Sequence, residues 1–139
     1  MRFIYMQDIF VGRVMSDGII SVTPDTLVEE AAETLLEKQI GSLVIVDEEN
    51  QLQGILTSTD FVRIVRDSEP KAETTVGEHM TEQVVTVTAQ DSIREAADKL
   101  ITYDIHHLPV VDETEGVIGM LSTTDLTAYI SEVQKPSPA

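Results

Sequence analysis

Gly54-Ile55-Leu56-Thr57-Ser58-Thr59-Asp60 returns 65 positions later as Gly119-Met120-Leu121-Ser122-Thr123-Thr124-Asp125. Both stretches run from apolar residues into hydroxyls and an aspartate, the order found where a strand gives way to a helix. The same offset extends outward without a gap. Val11-Gly12-x-x-Met15 falls on Val76-Gly77-x-x-Met80, Val22-Thr23 on Val87-Thr88, Glu30-Ala31-Ala32 on Glu95-Ala96-Ala97, and Val46-Asp47-Glu48 on Val111-Asp112-Glu113. Roughly a third of the aligned positions are identical, so the chain is a duplication, and both copies share one fold.

Within each copy the hydrophobic period changes in the same order. Ile19 to Val22, closed by Thr23-Pro24, reads as a short strand. A helix follows, with Thr26 and Glu29 at capping-box spacing and Leu27, Val28, Ala31, Ala32, Leu35 and Leu36 as its apolar stripe. Leu43 to Val46 and Leu52 to Leu56 read as strands joined by Asp47-Glu48-Glu49-Asn50. The first of them is apolar throughout and should be covered on both faces. A last helix opens near Ser58 and carries Phe61, Val62, Ile64 and Val65. Copy two repeats this with strands at Val84 to Val87, Leu108 to Val111 and Val117 to Leu121, and with helices at Asp91 to Tyr103 and Thr123 to about Val133. The fold class is α+β, a tandem pair of β-α-β-β-α repeats.

A module of about 60 residues is marginal alone, because it buries only about 60% of its unfolded surface. The two copies should therefore pack together with pseudo-twofold symmetry. The expected organisation is a first repeat over 8–67, an exposed link over 68–75, a second repeat over 76–133 and a mobile tail over 134–139.

Twenty-five acidic against 9 basic side chains give a formal charge of -16. Such a field repels phosphate backbones and anionic headgroups, so neither nucleic acid nor a membrane surface is an expected partner. The excess fits a halophile's surface or simply an acidic mesophilic domain; at molar salt, where the Debye length is about 3 Å, the repulsion would vanish. With no cysteine, disulfides and thiolate metal sites are ruled out. No apolar run approaches the roughly 20 residues that span a bilayer, and the first ten residues lack a signal-peptide core, which gives a cytoplasmic reading.

The paired motifs resemble the CBS-domain pair, or Bateman module. The resemblance rests on Val-Gly-x-x-Met, Val-Thr-Pro or Val-Thr-Ala, Leu-Val-Ile-Val-Asp or Leu-Pro-Val-Val-Asp, and Gly-Ile-Leu-Thr-Ser-Thr-Asp, and it covers about Asp8 to about Val133. It implies a non-catalytic regulatory module that senses an adenosine-containing ligand: AMP, ADP or ATP, or else S-adenosylmethionine or methylthioadenosine. It also implies two ligand sites, each drawing on both copies. One combines Thr57, Thr59 and Asp60 with Val84, Val85, His106 and His107. The other combines Ser122, Thr124 and Asp125 with Ile19, Ile20, Gly41 and Ser42. The valines would flank an adenine ring, and the aspartates would hold ribose hydroxyls.

Two local readings stand beside that one. Thr57-x-x-Asp60 and Ser122-x-x-Asp125 also have capping-box spacing, and a cap and a ligand contact can coexist. His106-His107 stands where nucleotide-binding members of the family often have His-Arg. The missing arginine weakens the site for triphosphates, because a histidine is mostly neutral near pH 7. If the histidines are the cation of the first site, that site suits a phosphate, and the second suits something less charged. Adjacent strand residues point to opposite faces, so the two imidazoles are poor joint metal ligands, and no metal is expected.

No Gly-x-Ser-x-Gly elbow, Gly-x-x-x-x-Gly-Lys loop or His-Glu-x-x-His pattern occurs, which argues against an enzyme. A small hydrolase using His106 and Asp60 is the weakest reading. His79 reads as a surface residue, and Met15, Met80 and Met120 as packing. The rival of another class is an interaction module with vestigial pockets, forming a homodimer or docking on an unidentified regulated enzyme or transporter. No resident cofactor is expected beyond the sensed ligand.

Overall fold

Val11 and Val76, equivalent in the two copies, are both fully buried, and each lies in a core built mainly by the other copy. The computed structural model describes residues 9–67 and 73–134. These form two compact units. The first unit holds the described part of 19–84 together with 114–117; the second holds 9–18, 85–113 and 118–134. Unit and repeat are thus out of step, since the Val-Gly-x-x-Met segment that opens each copy completes the unit of its counterpart. The expected tail over 134–139 lies outside the described residues except Gln134, which ends a helix.

In the first unit, β1 (Ser21–Val22) pairs parallel to β2 (Ser42–Val46), and β2 pairs antiparallel to β3 (Leu52–Thr57). All five residues of β2 are buried, as its unbroken apolar run requires. Helix α2 (Val28–Lys38) lays Val28, Ala31 and Leu35 on the core with Leu43, Ile45, Leu56 and Ile64, the last from α3 (Ser58–Arg66). Two sequence expectations fail here. The cap of α2 is Leu27, without a side-chain bond, so Thr26 does not cap it; the first helical N–H, that of Val28, is taken by the Thr74 carbonyl at 2.9 Å. Leu36, at 80% exposure, lies off the buried i, i+3, i+7 row. Thr74 and Thr75, expected in the exposed link, are half-buried against this helix entry, with Thr75 bridging Leu27.

The second unit pairs β4 (His107–Asp112) with β5 (Gly116–Ser122), whose first two residues belong to the other unit. Helix α1 (Val11–Val14) supplies Val11 to a core of Ile93, Ala96 and Leu100 from α4 (Ile93–Tyr103), Leu108, Val110, Leu121, and Leu126 from α5 (Thr123–Gln134). The strand expected at Val84 to Val87 shrinks to a single parallel bridge, Val87 to Val110. Val87 N–H donates to Pro109 O at 3.1 Å, and Val111 N–H to Val87 O at 2.9 Å. The next rung would need an N–H from Pro109, which has none. Lys99 Nζ caps the neighbouring Thr86 carbonyl at 2.7 Å.

The recurrence of Gly-x-Leu and Val-Gly-x-x-Met in fixed pairs has a packing cause. A Cβ on Gly54 would lie 2.6 Å from Met80 Sδ and 2.8 Å from Thr81 O, and one on Gly119 would lie 2.5 Å from Met15 Sδ. Each methionine fills the space over the glycine of the same unit, which bears out its reading as packing.

Candidate functional site

The two strand-to-helix junctions are where hydroxyls, a carboxylate and the start of a helix converge. In the first unit β3 ends at Thr57, and α3 begins at Ser58. Thr57 N–H donates to Asp60 Oδ2 at 2.8 Å, and Asp60 N–H returns to Thr57 Oγ1 at 3.4 Å, which closes the capping box expected from the spacing. The chain reaches this junction a second time through Gln39, whose left-handed backbone (φ 54°) ends α2 and directs Ile40 and Gly41 back toward the sheet. Gly41 O accepts Ser58 N–H at 3.0 Å, and Ser42 pairs with Thr57. Ser42 is buried, while Ser58 and Thr59 are exposed.

The second unit repeats the arrangement with different chemistry. Ser122 N–H donates to Asp125 Oδ2 at 2.9 Å, and Asp125 N–H to Ser122 Oγ at 3.0 Å. Asp104 (φ 52°) ends α4, so His106 and His107 stand where Gly41 and Ser42 do. His106 O accepts Thr123 N–H at 3.0 Å, and its Nδ1 lies 3.4 Å from Thr123 Oγ1. Ser16 Oγ donates to Asp125 Oδ1 at 3.4 Å. His106 is exposed and His107 half-buried, the alternation a strand imposes on neighbours.

Burial of His107, reinforced by His106 beside it, holds its pKa below the usual 6.5, with the Asp125 carboxylate acting in the opposite sense. A histidine whose pKa is lower in the folded than in the unfolded state contributes stability that is complete above 6.5 and lost as pH falls through that value toward the folded one. Urea unfolding at about pH 7.5 and about pH 5.5 is therefore expected to show a fall in stability that is smaller in His107→Gln. An equal fall in the variant would contradict this account of the imidazole.

Of the residues singled out in the sequence, the first unit brings Gly41 and Ser42 to the Thr57–Asp60 junction, and the second brings His106 and His107 to the Ser122–Asp125 junction. Ile19 and Ile20 precede β1, and Val84 and Val85 precede the Val87 bridge; all four are half-buried and outside the ladders. Sequence reasoning passed over Arg63, whose Nη1 lies 3.4 Å from Asp60 Oδ1. The signal was available, since an aspartate and an arginine three apart share a helix face. It also passed over Ser16, for which nothing in the linear pattern gives a cue. Among the described residues no cluster of three His, Asp or Glu side chains could hold a metal ion, and no helix is long and apolar enough to cross a membrane.

The CBS domain family model matches twice, over residues 11–67 and 76–132. The chain is 31% identical over 92% of its length to a homoserine O-acetyltransferase of Methanohalobium evestigatum, of which it spans only 25%. It also covers 74% of an uncharacterized 17.7 kDa protein of Acidianus ambivalens, at 28% identity over 88% of the chain. Among solved structures, the CBS domain pair of protein MJ0100, in complex with 5'-methylthioadenosine and S-adenosyl-L-methionine, superposes with a TM-score of 0.82 at 29% identity, covering 90% of this chain and 98% of that one. CBSX2 in complex with AMP gives 0.83 at 25% identity, covering 91% and 99%. Two matched repeats in the order read from the sequence, each completed by the other's opening segment, make this chain a member of the CBS domain family, a tandem CBS pair.

Proposed function

We propose that the chain is a non-catalytic regulatory module that binds an adenosine-containing ligand at its strand-to-helix junctions. AMP, ADP, ATP, S-adenosylmethionine and methylthioadenosine are the candidates. The observation that carries this reading is the division of labour within each aspartate. Oδ2 of Asp60 and of Asp125 is fixed by the cap amide at 2.8 and 2.9 Å, while Oδ1 has only side-chain neighbours at 3.4 Å. A carboxylate oriented in this way presents a second acceptor to a ribose diol without disturbing the helix start. The exposed Thr59 and Thr124 hydroxyls and the positive ends of the α3 and α5 dipoles favour polar or anionic groups beside it. Ile19, Ile20, Val84 and Val85 supply apolar surface for the adenine. The ligands held by the MJ0100 pair and by CBSX2 support the same class.

Ligand binding would act by population shift, stabilising one conformation that a partner protein reads. In a thermal-unfolding panel, a true ligand at a hundred times its dissociation constant should add about 2.7 kcal/mol. No shift with any of the five compounds at millimolar concentration would overturn the reading.

A second reading, that of an interaction module or homodimer, has one observation in its favour. Leu36 and Ile101 are repeat-equivalent and both 80% exposed, and Val65 and Ile130, also equivalent, are 69% and 39% exposed. Apolar residues left bare at matching positions of both copies suit a surface that is covered in an assembly. Sedimentation of the unliganded chain as a monomer at every concentration would count against it.

A further inference from the structure

The two junctions carry the same carboxylate but not the same charge around it. Beside Asp60, Arg63 Nη1 lies 3.4 Å from Oδ1 with its side chain 62% exposed, so most of its donors remain open to a further anion. Arg66 follows one turn on, in a chain with only 9 basic residues against 25 acidic ones. In the second unit Ala128 replaces Arg63 and Ser131 replaces Arg66, and α5 has no basic residue in its last turn. The Asp125 carboxylate meets Ser16 Oγ there, and the nearby imidazole of His107 is held toward its neutral form by burial. One junction thus pairs its carboxylate with a permanent guanidinium, and among the described residues the other has no lysine or arginine in an ion pair with its carboxylate.

We infer that the two junctions sort adenosine ligands by charge: Arg63 makes the Thr57–Asp60 junction the place for phosphorylated adenosine, and the Ser122–Asp125 junction takes an uncharged or cationic adenosyl compound. This rests on the ligand reading above and adds a specificity-determining residue to it. A ribose whose diol meets Asp60 Oδ1 projects its 5' substituent from the other edge of the ring, where the long, exposed Arg63 side chain, anchored 3.4 Å from that oxygen, has the length to reach it, and a planar guanidinium binds phosphate through two parallel bonds. At Asp125 a phosphate would face an uncompensated carboxylate within the field of a -16 chain, whereas a sulfonium would be attracted by it.

The test is calorimetric titration of the full chain with AMP and with methylthioadenosine, for the wild type, Arg63→Ala, Arg63→Gln and Ala128→Arg. Both replaced side chains lie on exposed helix surface, so the fold should survive. The expected result is that each Arg63 variant weakens AMP about tenfold and shifts methylthioadenosine less than twofold. Ala128→Arg should add a second equivalent of AMP. An unchanged ratio of the two affinities in the Arg63 variants, with both ligands still bound by the wild type, overturns the charge sorting alone. Failure of both ligands to bind the wild type overturns the ligand reading and the sorting together.

Discussion

Gly116→Ala is expected to remove about 3 kcal/mol of stability, a large part of what a domain of this size possesses. Gly116 has φ +80°, where an L side chain is strained, and the added methyl would overlap the carbonyl oxygen of Asn50 and stand 2.6 Å from its carbonyl carbon. Asn50 cannot step aside cheaply. Its carbonyl accepts Val117 N–H at 3.0 Å, and its Nδ2 donates to Glu115 O at 2.9 Å and Val117 O at 2.8 Å. One methyl therefore acts on three hydrogen bonds that hold the 114–117 turn in the first unit. Gly18→Ala is the control, because nothing lies within 4 Å of the Cβ it would add, and it should change stability by less than about 0.5 kcal/mol. Urea midpoints that fall equally for the two would contradict this account of the turn.

The second large effect separates the two roles of Asp60. Asp60→Asn keeps an oxygen that can accept Thr57 N–H, so the cap persists, and the stability cost should stay below about 1 kcal/mol. What it removes is the charge on the acceptor offered to a ribose. Hydrogen bonds to a charged group contribute about 1.5–3 kcal/mol, so AMP affinity should fall roughly tenfold to a hundredfold. Asp60→Ala should lose both, adding a capping cost of about 1 kcal/mol. If Asn and Ala were equally harmless to binding, Asp60 would be a cap and nothing more.

Much of the fold is legible in the sequence, for a definable reason. A duplicated pattern reports each element twice, so the helices at Val28–Lys38 and Ile93–Tyr103 and the buried strand Ser42–Val46 appear close to where periodicity puts them. The failures are those of tertiary context. Nothing in a four-residue helix with one buried valine tells which core Val11 will enter, yet that choice puts unit and repeat out of step. The expectation of a strand at Val84 to Val87 rests on β-branched residues alone, whereas Pro109, far along the chain, leaves only Val87 paired. Thr26 had the spacing of a cap, and the Thr74 carbonyl replaced it. At the junctions the capping boxes were readable because their bonds are local; the neighbours of Asp125 include Ser16, 109 residues away, and no local rule reaches that far.

The claim on which the function depends is that Asp60 and Asp125 each offer a carboxylate oxygen to an adenosine-containing ligand. Native mass spectrometry of the chain purified under mild conditions, beside an Asp60→Asn and Asp125→Asn double variant that keeps both caps, tests it most directly. The wild type should retain an adenosine-containing compound, native or added, and the double variant should release it. Equal retention by both proteins, or none by the wild type after incubation with all five candidates, would contradict the account.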